Sequence, residues 1–286
     1  MIDKSSGFAR LLGGGPVTAV VLAINTTACK SQVKRVLIAA SIVLVASVVA
    51  ILVFWQRPIA ADISLNEAIT VDATTRNYRL VVPHTLPKPA PIVFAFHGIG
   101  DSTESMANYC RLDQLASRNG FILVYLTARK SMWATVNANA DNLDANADVR
   151  FFDQLLIHLS KHHEIDRDRV YAVGMSNGAS FVQLLAVARS NEIAAIAAYS
   201  GSKLSNIGSS ENPLPIMLVV GANDLASLEM QSDADHYRSD GHVVEFVSVP
   251  GLGHEWPTRY NTQMWSFLSQ HSLAQKTLTK SGEPGS

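Results

Sequence analysis

From Tyr78 to Val249, short apolar runs rich in β-branched residues alternate with stretches of helical periodicity, and this alternation restricts the fold more than any other feature. The runs are Tyr78–Val82, Ile92–Phe96, Phe121–Leu126, Val170–Val173, Ile193–Ala198, Ile216–Val220 and Val243–Val249. Helical patterns cover Met106–Ser117, Val149–His162, Ala179–Arg189, Leu225–Tyr237 and Thr262–His271. Strands alternating with helices imply βαβ units, hence an α/β fold built on a mostly parallel sheet with helices on both faces. The first two runs have no helix between them and are expected to form an antiparallel start. Leu126–Ala145 is a long polar connection rich in Asn and Asp, and long loops at such a place often carry function.

A second feature lies upstream. Val36–Trp55 runs for twenty residues without a charge, and at about 1.5 Å per residue such a helix matches a bilayer's hydrocarbon core. Lys30, Lys34 and Arg35 precede it, with Lys4 and Arg10 further back, and only Arg57 follows closely. The positive-inside rule then predicts a cytoplasmic N-terminal segment (1–35), a transmembrane anchor (36–55), a linker (56–77), a catalytic domain outside the cytoplasm (78–274) and a frayed tail (275–286). Ile59-Ala60-Ala61 offers the alternative of a long signal peptide cut before Asp62, which would make the protein secreted. Cys29 and Cys110 fall on opposite sides of that span and cannot pair. Cys110 reads as a small buried hydrophobe. Two cysteines also exclude a disulfide-built scaffold and a cysteine-rich metal site. With 23 basic and 24 acidic residues the chain carries no electrostatic footprint for nucleic acid.

The residues with chemistry lie at the ends of the strands. Gly174-Met175-Ser176-Asn177-Gly178 fits G-x-S-x-G, with Arg169–Val173 reading as a strand into it and a helical pattern leaving it from Ala179. That context is a nucleophile elbow, in which glycines permit a turn too tight for side chains and the serine oxygen stands above the sheet edge. A serine needs a base, and the base an orienting carboxylate, in the chain order Ser, Asp or Glu, His. Asp224 follows the Ile216–Val220 strand, and His254 follows the Val243–Val249 strand. The rivals His236, His242 and His271, and Asp233 and Asp235, lie on a helix, at a strand start or near the tail. Two backbone donors are needed for an oxyanion. The N–H of Asn177 is one candidate, and the N–H of Ile99, in the His97-Gly98-Ile99-Gly100 turn, is the other. His162-His163-Glu164 lacks metal-binding spacing, and neither a metal nor a cofactor is expected.

Taken together, HG-x-G, Trp133 in the long connection, Asp148-Val149, IDRDRVYAVGMSNG, PIMLVVGAND and GHEWP (Gly253–Pro257) resemble the polyhydroxybutyrate depolymerase and feruloyl esterase group of α/β-hydrolases, with acetyl-xylan esterases of the same kind. The resemblance covers roughly Tyr78 to His271. It implies an α/β-hydrolase fold and carboxylic-ester hydrolysis through an acyl-serine by Ser176, His254 and Asp224. Related sequences often carry a cysteine after the His-Gly and a second glycine after SNG, where this chain has Ile99 and Ala179. Trp133 and Trp256, with His97, are the expected substrate-binding residues, since indole faces suit aryl or sugar groups. Only 32 residues follow His254, so small esters or short oligomeric esters are the expected substrates. The expected membrane contact is the N-terminal helix. A serine peptidase of the prolyl-oligopeptidase type and a catalytically inactive binding module are the alternatives.

Overall fold

The computed structural model describes residues 34–47 and 59–275, and the chain divides into two compact units, Met1–Pro58 and Ile59–Ser286. In the first unit a helix, α1, is described over residues 34–47 and is exposed along its length. Ser41 and Ser47 donate their hydroxyls to the carbonyls of Leu37 and Val43, at 2.9 and 2.8 Å. That back-bonding is how an apolar helix accommodates a serine. Among the described residues no helix is long and apolar enough to cross a membrane. The Val36–Trp55 span expected above runs on into residues outside the described ones.

The second unit is built on eight strands. They are β1 (Ala61–Val71), β2 (Thr74–Pro83), β3 (Ala90–Phe96), β4 (Ile122–Leu126), β5 (Ile165–Met175), β6 (Ala195–Tyr199), β7 (Ile216–Gly221) and β8 (Val244–Val249). The helices are α2 (Thr103–Cys110), α3 (Leu112–Asn119), α4 (Ala147–His162), α5 (Asn177–Ala188), α6 (Ser227–Ser239) and α7 (Asn261–Ser269). The sheet order is β1-β2-β4-β3-β5-β6-β7-β8, antiparallel from β1 to β4 and parallel from β4 onward. This is the α/β-hydrolase arrangement, with a mostly parallel sheet. Alternate residues of each central strand feed two cores. Ile92, Phe94 and Phe96 of β3 point to the core packed by α4, α5 and α6, while Val93 and Ala95 point to the one packed by α2, α3 and α7. With both faces covered, these strands read as unbroken apolar runs.

Three expectations change. Residues 61–77, expected within a linker, form β1 and the start of β2, joined by a tight turn at Asp72 and Ala73 with φ of 50° and 58°. The sequence hides β1 because it is an edge strand, largely exposed, and a register shift between Ser64 and Glu67 breaks the period of two. The antiparallel partner of β2 is β4, as well as β1, and not β3, because β3 lies inside the parallel part of the sheet. The Met106–Ser117 pattern is two helices. Arg111 adopts the left-handed region (φ 54°) and donates its N–H to the Ala107 carbonyl at 3.1 Å, closing α2 so that α3 can turn against the sheet.

A buried ion pair ties the long connection to this frame. Arg76 of β2 and Asp148 of α4 meet at 2.6 Å with side chains 3% exposed each. The other Asp148 oxygen accepts the Ala134 N–H at 2.8 Å.

Candidate active site

Ser176 closes β5 and opens α5 with φ 56° and ψ −120°, a conformation that L-residues rarely adopt. Its N–H donates to the Tyr199 carbonyl of β6 at 2.8 Å, and its carbonyl accepts from Ser180 at 3.0 Å, so the turn is held from both sides. The glycines around it answer to space. A Cβ at Gly178 would stand 2.1 Å from the Phe96 carbonyl oxygen, and one at Gly174 would stand 2.3 Å from the Gly178 oxygen. Helix α5 therefore starts directly against the end of β3, with the serine presented above the sheet.

Asp224 and His254 arrive from the ends of β7 and β8, two strands that pair in parallel. His254 Nδ1 lies 2.9 Å from Asp224 Oδ2. The Asp224 side chain is 3% exposed and that of His254 is 52% exposed, so the carboxylate is enclosed and the ring reaches the surface. Burial alone would raise the Asp224 pKa. The Ala226 N–H, 3.0 Å from Oδ1, the neighbouring Ser200 and the His254 ring outweigh it and hold the carboxyl below its ordinary value.

Opposite the elbow, β3 ends in His97-Gly98-Ile99-Gly100. The backbone N–H groups of Ile99 and Asn177 are taken by no backbone acceptor among the described residues. His97 is 1% exposed; its Nδ1 contacts the Gly98 carbonyl at 2.7 Å and its Nε2 accepts the Ala128 N–H at 3.1 Å. Those partners fix the tautomer with the proton on Nδ1. Burial lowers the His97 pKa and favours the neutral ring. Trp133 has no solvent exposure. It stacks on Phe181 (centroids 5.3 Å apart) and donates its indole N–H to the His97 carbonyl at 2.8 Å. The Asn177 side chain accepts the Trp133 backbone N–H at 2.8 Å and donates to Thr135 Oγ1 at 2.9 Å. The expectation that His97 and Trp133 contact substrate is thus corrected. Both are walled in by the core, and they brace the two loops that flank Ser176.

A cavity of about 470 Å³ brings together Ser176, His254, Ile99 and Trp256 with Gly98, Met175, Asp101, Tyr109 and Glu255. Trp256 meets this cavity while its ring stacks on Tyr199 at 3.8 Å and its N–H donates to Asn261 Oδ1 at 2.8 Å. Asp101, Tyr109, Met175 and Glu255 escaped the sequence reading. Asp101 precedes the Ser102 N-cap of α2 and Tyr109 lies in the last turn of that helix, eight residues on, and no motif marks them.

A family model described as esterase PHB depolymerase matches residues 77–245, more than half of the chain and a span that includes Ser176 and Asp224. The chain belongs to the PHB depolymerase esterase family. Curated relatives of this PHB depolymerase-type chain include the bifunctional acetylxylan esterase/xylanase XynS20E of Neocallimastix patriciarum, 24% identical over 63% of this chain and 26% of the relative. Feruloyl esterase D of Neurospora crassa is 25% identical over 54% of this chain and 55% of the relative. The chain thus spans from about a quarter to just over half the length of these two relatives. Among solved structures, the substrate-bound fluorophosphonate-binding serine hydrolase FphF of Staphylococcus aureus superposes with a TM-score of 0.59 over 73% of this chain and 98% of that one, at 12% identity. At that identity the likeness shows the fold of the PHB depolymerase-type unit, an α/β-hydrolase.

Proposed function

We propose that this chain hydrolyses carboxylic esters through an acyl-serine intermediate formed on Ser176. The observation that carries the reading is one cavity holding a strained, outward-held serine and a histidine whose far nitrogen is 2.9 Å from an enclosed carboxylate. His254 Nε2 accepts the Ser176 proton as Oγ adds to the ester carbonyl, and Nδ1–H keeps its bond to Asp224. The imidazolium that forms is stabilised by a carboxylate that stays ionised. The Asn177 and Ile99 N–H groups receive the oxyanion. The proton then passes to the leaving alcohol, and water activated by the same histidine releases the acid.

Family membership and the feruloyl and acetylxylan esterase relatives support small acyl or aryl-acyl esters and short oligomeric esters as substrates. Ser176→Ala should lower turnover on the order of a thousandfold or more while the fold persists, because the hydroxyl is not packing. It should also abolish labelling by a fluorophosphonate probe. A variant keeping a tenth of the activity would overturn the assignment.

The exported location rests on the charge asymmetry around Val36–Trp55. We place the N-terminus in the cytoplasm and the Ile59–Ser286 unit outside, membrane-anchored or released after cleavage near Ala61. Protease added to spheroplasts should digest that unit and spare residues before Lys34. Protection of the catalytic unit would refute this topology.

A further inference from the structure

Tyr109, on α2, lines the cavity that holds Ser176, and its hydroxyl is buried with no hydrogen-bond partner among the described residues. Native proteins leave few such groups unpaired without a reason. Asp101 lines the same cavity. Its Oδ1 accepts the Ser105 hydroxyl at 2.9 Å, while Oδ2 faces the nucleophile's surroundings. A methyl group placed on Gly98 would lie 3.4 Å from Asp101 Oδ2 and 3.5 Å from Ser176 Cβ, so carboxylate and serine flank the same glycine. Burial, then the negative charge of Asp101, raise the Tyr109 phenol pKa, which keeps it a neutral donor. Among the described residues no lysine or arginine lines the cavity to occupy the carboxylate.

We infer that Tyr109 Oη and Asp101 Oδ2 together recognise a free hydroxyl carried by the ester substrate. A hydroxyl donates once and accepts at its lone pairs, so one such group can give its proton to Asp101 and take the Tyr109 proton. A plain alkyl chain at that place would leave the Tyr109 hydroxyl only the neighbouring Asp101 carboxylate and Gly98 backbone to pair with, and would give Asp101 Oδ2 no donor from the substrate, so the site favours the ester that supplies a hydroxyl. The proposal rests on the esterase reading and narrows it to hydroxylated esters. The hydroxyl can belong to the acyl group or to the alcohol, and the experiment separates these.

The full chain is assayed with two matched pairs. One is an aryl ester of a hydroxylated short acid against its unsubstituted analogue, and the other is glyceryl monobutyrate against propyl butyrate. The hydroxylated member of one pair should be favoured at least tenfold in kcat/KM, and that pair names the source of the hydroxyl. Tyr109→Phe and Asp101→Asn should each shrink the ratio about tenfold, mainly through KM. Thermal melting checks the fold, and Asp101→Asn, at a partly exposed residue, serves if Tyr109→Phe unfolds. Ratios near one in both pairs for the wild type, or variants that slow both members of the favoured pair alike, would overturn the inference. If none of the four esters turns over, the esterase reading falls, and this one with it.

Discussion

Removing the Asp148 carboxylate should cost this fold more than any single surface change. Arg76 and Asp148 meet at 2.6 Å with both side chains 3% exposed, so Asp148→Ala strands a guanidinium in the core. Its remaining partners are the Thr127 and Ala147 carbonyls, at 3.2 and 3.4 Å, and the face of Phe151, 4.0 Å away. These offset part of the desolvation, but the buried charge loses its counter-charge, which typically costs about 3–5 kcal/mol. The Ala134 N–H, 2.8 Å from the second Asp148 oxygen, also loses its acceptor. For a unit of this size each kcal/mol lowers Tm by about 2–4 °C, so a drop of roughly 6–20 °C is expected. Burial already pulls the Arg76 pKa down despite the neighbouring carboxylate. A buried ion pair generally repays little of its own desolvation, so removing both charges should be milder than removing one. Urea denaturation of Asp148→Ala, Asp148→Asn, Arg76→Met and the Arg76→Met/Asp148→Asn double variant completes the cycle. A cost under about 1 kcal/mol for Asp148→Ala, or a double variant that loses as much as the sum of its two single substitutions, would refute this account of the pair.

Ala73 occupies the hairpin turn between β1 and β2 at φ 58°, so Ala73→Gly should relieve strain and stabilise the protein by about 0.5–1 kcal/mol; an unchanged or lower denaturation midpoint would contradict this. His97 has a folded pKa below its ordinary 6.5 because it is buried. Its contribution to stability is complete above about pH 6.5 and is lost as pH falls toward the lower folded value, because the unfolded chain takes up the proton first. In His97→Gln the slope of unfolding free energy between pH 6.5 and 5 should therefore be shallower, by at most about 1.4 kcal/mol per pH unit. An identical slope in both proteins would show that His97 does not carry that linkage.

What the sequence determines here is local. The passage from an apolar strand through Gly174–Gly178 into a helix is readable because turn geometry and helix entry are set by neighbouring residues. The order Ser176, Asp224, His254, each following a strand, is readable for the same reason, and parallel pairing of β7 with β8 then brings the last two together. Three features came only from tertiary structure. β1 is held by its pairing with β2 while most of its side chains stay exposed, so it leaves no apolar period in the chain. Trp133 lies in a polar loop that reads as a surface element, yet Phe96, Phe181 and the His97 carbonyl enclose it. Asp101 and Tyr109 become cavity residues because the β3 loop and α2 fold over the end of β5. Propensity and spacing act over a few residues, whereas burial of a side chain depends on which distant segments close around it.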